Sequence, residues 1–153
     1  MILTKIFQIG VATLFFGSSV AIASTDPLVG NWKTIDNKTG YSLADVAIQK
    51  NKDGTYSAKV IDLRAKPGAA LIPTCVKCKG KQKDQPIVGM TVLNGLKADP
   101  KNKLVFNNGI FLEPSTGLIY NTTVHLSNNG KHLILQNAIK GSTNRQNITW
   151  MRY

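Results

Sequence analysis

The sequence predicts an all-β fold, an antiparallel up-and-down barrel of about eight strands, and three observations carry that expectation. Apolar and polar residues alternate over short segments, and clusters of Gly, Asn, Asp and Pro separate those segments. No segment sustains a 3.6-residue apolar stripe, so any helix is expected to be a short turn.

The first predicted strand holds Val29, Trp32 and Ile35, and the second sets Val46 and Ile48 against Ala47 and Gln49. Asn51-Lys52-Asp53-Gly54 reads as a hairpin turn, because Gly accepts the positive φ that such turns need. Tyr56, Ala58 and Val60 then share one face of the third strand, with Ser57, Lys59 and Ile61 on the other. A long irregular loop follows. The next strands are expected at Ile87 to Leu93, at Leu104 to Phe106 extended towards Leu112, and at Leu118 to Leu126. Leu133 to Ile139 and Ile148 to Tyr153 complete the set, joined by further turn-forming stretches. Short sequential links favour a closed barrel over a sandwich, since closure leaves no exposed sheet edge.

Ahead of these strands, residues 1–23 read as an export signal. Lys5 supplies a positive n-region, Ile6 to Ile22 an apolar run, and Ala21-Ile22-Ala23 a cleavage site. The competing reading, an uncleaved anchor, rests on a run that approaches the ~18-residue lower limit for a spanning helix, but Gln8, Gly10, Gly17, Ser18 and Ser19 weaken it. Residues 24–153 are then a single domain, periplasmic or secreted, with no integral membrane span after cleavage. The formal charge of +11 favours anionic partners without identifying them.

Several pieces of the chain carry a resemblance. Gly30-Asn31-Trp32 near the start and Trp150-Met151-Arg152 at the end look like the two halves of the lipocalin signature. Cys75-Val76-Lys77-Cys78-Lys79-Gly80, Pro86-Ile87-Val88-Gly89-Met90 and the stretch from Asn108 to Tyr120 resemble the secreted bacterial family DUF2147, a domain of unknown function. Glu113 stands where that family usually has Asp before Pro, and Ile148 where it usually has Gln; these departures bear on polar roles there, not on the fold. The resemblance implies a lipocalin-like barrel in which Arg152 packs across Trp32 and closes one end. It carries no established activity. The plainer alternative for that pair is a core Trp and a solvated Arg.

By the same resemblance the barrel interior is expected to hold a small, largely apolar ligand, with Val46, Ile48, Tyr56, Val60, Tyr120, Val124 and Leu135, beside Ala58, as inward residues that equally suit a plain core. Lys77, Lys79, Lys81 and Lys83 alternate through the long loop, so an extended backbone would send all four to one side. That points to an anionic envelope lipid or polysaccharide as a second class of partner, against the ordinary reading of a solvated loop. Nucleic acid is not indicated, since no aromatic residue lies between Ser57 and Val105 to stack on a base.

Cys75 and Cys78 form the one C-x-x-C, and export makes a local disulfide the expected state. Thiol redox chemistry would need the βαβ setting that the chain lacks. A zinc site would need two further ligands, and His125 and His132 share a face only if their hairpin has the right loop length. No metal, cofactor or catalytic residue is assigned: there is no G-x-S-x-G and no phosphate-binding loop.

Overall fold

The computed structural model describes residues 25–153. The signal peptide expected at residues 1–23 lies outside them. Eight strands, β1 (Gly30–Ile35), β2 (Ser42–Lys50), β3 (Tyr56–Leu63), β4 (Thr91–Ala98), β5 (Val105–Glu113), β6 (Leu118–Leu126), β7 (His132–Ala138) and β8 (Arg145–Arg152), form a closed antiparallel barrel in chain order. Pairing of Trp32 with Arg152 and of Thr34 with Trp150 joins the first strand to the last. The only helix among the described residues is the single turn Gly80–Gln82.

An up-and-down order puts alternate connections at opposite ends. The links β2–β3, β4–β5 and β6–β7 are hairpins at one end, whereas β1–β2, β3–β4, β5–β6 and β7–β8 meet at the other, and of all seven only β3–β4, residues 64–90, is long. At the first turn Gly54, with φ +81°, donates its N–H to the Asn51 carbonyl at 3.0 Å, as turn chemistry requires. The inward faces bury one continuous apolar core that includes Trp32, Leu93, Leu96, Phe106, Leu133 and Trp150.

Two expectations are corrected. The fourth strand does not occupy Ile87 to Leu93 but begins at Thr91 and runs on to Ala98. Gly89 has a φ of +91°, so the run from Ile87 to Met90 turns instead of extending. It nevertheless docks on β3, Gly89 N–H donating to the Val60 carbonyl at 2.7 Å and Val60 N–H to the Met90 carbonyl at 3.0 Å. Nor is the lysine segment extended: Gly80 and Asp84 have φ values of +59° and +60°, and the helical turn lies between them. Lys77, Lys79, Lys81 and Lys83 are all exposed, but they do not form one row.

Candidate functional site

The two ends of the barrel differ. At the hairpin end, the chain before β1 crosses the opening and fills it. Leu28 is buried there, and its carbonyl accepts a 3.1 Å hydrogen bond from Trp32 Nε1. Asp26 receives the Leu28 N–H at 3.1 Å, the Tyr56 hydroxyl at 2.8 Å and Lys50 Nζ at 3.4 Å. Burial alone would raise the Asp26 pKa, but these donors together hold it below the ordinary carboxylate value. The Arg152 guanidinium lies 4.2 Å from the Trp32 ring centre. Its nitrogens donate to the carbonyls of Gly130 at 3.2 Å, Val29 at 3.1 Å and Pro27. Aromatic packing fills the space behind this seal, with Tyr56 and Phe106 edge to face at 5.5 Å.

The other end is open. A cup of about 780 Å³ descends into the barrel between the β1–β2, β3–β4 and β5–β6 connections and the start of β8. Val46, Val60, Val92, Phe111, Ile148 and Trp150 supply apolar walls and floor, and Leu71, Ile72, Val76 and Ile87 of the β3–β4 loop supply one side. Phe111 meets Trp150 edge to face at 6.3 Å. Asp36, Lys38, Arg64, Lys66, Lys77 and Glu113 add polar groups to the lining. Most are engaged with one another or with neighbours. Lys66 Nζ sits 2.6 Å from Asp36 Oδ2, and that hydrogen bond draws the Asp36 carboxyl down to about 2. Arg64 is held 2.6 Å from Asp45, and Glu113 accepts from Thr116 Oγ1 at 2.9 Å and from the Tyr120 hydroxyl at 3.2 Å. Burial, then the Glu113 charge and hydrogen bond, raise the Tyr120 pKa.

Of the inward residues expected from sequence to meet a ligand, Val46 and Val60 line the cup. Ile48, Tyr56, Ala58, Val124 and Leu135 are buried but belong to the packed interior, and Tyr120 is buried beside Phe111. The physical reason is the sealed end: Trp32, Tyr56 and Phe106 are bulky enough to fill that half of the barrel, and the cup lies on the other side. Phe111, Ile148 and Trp150 were missed as cup residues. Phe111 lies near the mouth end of β5, but Ile148 and Trp150 lie farther down β8, and no local sequence pattern marks them as cup residues.

That loop is fixed by its disulfide. Cys75 and Cys78 are bonded to each other and buried, so they do not present the exposed thiolate that redox chemistry needs. The loop rests on the β5–β6 turn: Cys75 Sγ lies 3.4 Å from the Pro114 carbonyl, and a Cβ on Gly117 would clash with the Lys77 carbonyl. Two sequence stretches about forty residues apart thus form one wall of the cup. Lys77 sits in the lining, and Lys83 donates to the Val76 carbonyl while lying 3.4 Å from Asp84. His125 pairs with Ile134 and the Ser127 N–H donates to the His132 carbonyl at 2.9 Å, which puts both histidines on the outward face of β6 and β7. Among the described residues no three metal-binding side chains gather.

The family model described as "Uncharacterized protein conserved in bacteria (DUF2147)" matches residues 30–152. No curated protein matches the chain. A solved structure described as protein HP1028 from the human pathogen Helicobacter pylori, said to belong to the lipocalin family, is similar in fold. Its TM-score is 0.65 at 20% identity, and the match covers 82% of each chain.

Proposed function

The chain belongs to the DUF2147 family of uncharacterised bacterial proteins, and we propose that in it the lipocalin-like barrel is an exported binding module, not an enzyme, for one small, largely apolar ligand. The observation that carries this reading is the contrast between the two barrel ends. One is sealed by Trp32, Leu28 and Arg152, while the other opens into a cup of about 780 Å³ with Phe111, Ile148 and Trp150 in its lining. That volume falls in the range of ~300–1,000 Å³ typical of small-molecule sites. A barrel filled along its whole length would offer none.

Charge and shape support the ligand class. The deep wall is aliphatic and aromatic, and Ile148 puts an apolar side chain where the family pattern usually has Gln. Polar groups concentrate near the rim, where Asp36–Lys66 and Arg64–Asp45 already satisfy each other. A molecule with an apolar body and a small polar end suits that gradient. Residues 1–23 support delivery to the periplasm or beyond, because the cleavage pattern is that of an exported chain.

Native mass spectrometry of the mature protein, purified from its own host without detergent, tests the proposal. We expect a fraction of molecules to carry one added mass of a few hundred daltons, released by organic solvent. Ligand-free protein that also takes up no member of a panel of fatty acids and other apolar small molecules would contradict it.

A further inference from the structure

The end of the barrel that carries the cup also carries most of the exposed apolar surface contributed by connections. Tyr41, Leu71, Ile72, Val88, Ile119 and Ile139 lie in the four mouth-end connections or at the strand ends beside them, and each is between 41% and 58% exposed. The hairpin turns of the sealed end, residues 51–55, 99–104 and 127–131, expose no large apolar side chain. Side chains of this kind project into solvent for no structural gain, since none completes the core.

Positive charge gathers at the same end. Lys38, Lys66 and Lys140 join the four lysines of the disulfide loop there, against Asp36, Asp84 and the inward Glu113. Lys66 is taken by Asp36 and Lys83 by Asp84. Lys38, Lys77, Lys79, Lys81 and Lys140 form no ion pair among the described residues. The disulfide and the Gly117 contact fix the loop that carries Lys77, Lys79 and Lys81, and Lys77 shares the cup lining with Leu71, Ile72 and Val76.

We infer that the mouth of the barrel docks on an anionic lipid bilayer, its lysines meeting the headgroup phosphates while Leu71, Ile72 and their neighbours enter the interface. Apolar tips ringed by free cations are the combination that interfacial binding uses, apolar burial and charge attraction acting together. An acidic polysaccharide would use the lysines and leave the apolar tips in water, so the bilayer accounts for more of the surface. The docking stands on this surface alone. Joined to the proposed function of the cup, it would bring the opening against the membrane and let an apolar ligand pass between bilayer and barrel without crossing water.

Co-sedimentation of the mature chain with vesicles tests the inference, using phosphatidylcholine alone and phosphatidylcholine mixed with phosphatidylglycerol. Binding is expected only to the mixed vesicles, weakening as salt shortens the screening length below the ~8 Å of physiological buffer. Replacing Lys77, Lys79 and Lys81 together by Gln should lower partitioning about a hundredfold, from roughly fivefold for each basic residue near an anionic surface. Leu71→Gln with Ile72→Gln should lower it about tenfold or more, and Lys101→Gln with Lys103→Gln at the sealed end should leave it unchanged. Circular dichroism confirms that each variant is folded. Equal binding to both vesicles, no binding to either, or equal damage from the sealed-end pair would overturn the inference. So would tight binding to dextran sulfate with the Leu71 and Ile72 substitutions without effect on any partner. Titration of an apolar probe in vesicle-free buffer reports on the cup separately, so failure of docking and failure of ligand binding are distinguishable.

Discussion

Arg152 ties three separate pieces of chain to the sealed end: the segment before β1 through Pro27 and Val29, the β6–β7 turn through Gly130, and the core through Trp32. Gly30 makes room for it. A Cβ there would come within 2.8 Å of the guanidinium, at a φ of +134° that side chains avoid. Arg152→Ala should therefore destabilise the protein by about 2 kcal/mol, combining a cation–π contact with lost charge-assisted hydrogen bonds. Chemical denaturation checks the value, and apolar-ligand affinity should stay within about twofold, because the residue lies at the opposite end from the cup. The tryptophan and the arginine were legible in the sequence as a pair, since each stands in a recognisable setting at the chain's ends. The Leu28 plug and the Asp26–Tyr56–Lys50 cluster behind it were not. Their partners are up to thirty residues apart, and no local spacing announces such a contact.

At the scale of elements, the strands that alternate cleanly were readable, and errors arose where glycine redirects the chain. Gly89 ends the apolar run that looked like the start of β4, while Gly95, at φ +70°, lies within the real strand. Gly80 likewise breaks the extended backbone that alternate lysines would need to make one row. A sequence shows that a glycine is present but not which φ its surroundings impose. The disulfide loop illustrates how the cup depends on an irregular element. Its bridge closes a small ring, so replacing Cys75 and Cys78 together by Ala should cost less than the ~3 kcal/mol associated with a 15-residue loop. The barrel strands should persist. We expect the main effect at Lys79 and Lys81, which should become rapid sites of trypsin cleavage in native buffer while the wild-type loop resists. Equal cleavage rates would mean that the Gly117 contact alone holds the loop.

Across the whole molecule, one sheet closed on itself gives two ends with different fates. The segment before β1 and three large aromatics fill one; at the other the single long connection, β3–β4, lines a hollow. The closed barrel was legible from period-2 patterning and short links. Which half would be hollow was not, because inward Val, Ile and Leu look alike in sequence whether they pack on each other or line a cup. Trp150 offers a probe at the decisive place, buried in the lining beside Phe111, whereas Trp32 is sealed away under Arg152. The most direct test of the cup as a ligand site is titration of a fluorescent fatty acid against wild-type protein and an Ile148→Lys variant of matched thermal stability. One saturable site per chain is expected, with Trp150 emission changing as the site fills. Its affinity should fall at least about tenfold in the variant, since an ammonium group on the wall must be desolvated by an apolar ligand. Saturable binding that Ile148→Lys leaves unchanged, or no binding by the wild type, would contradict a ligand site in the cup.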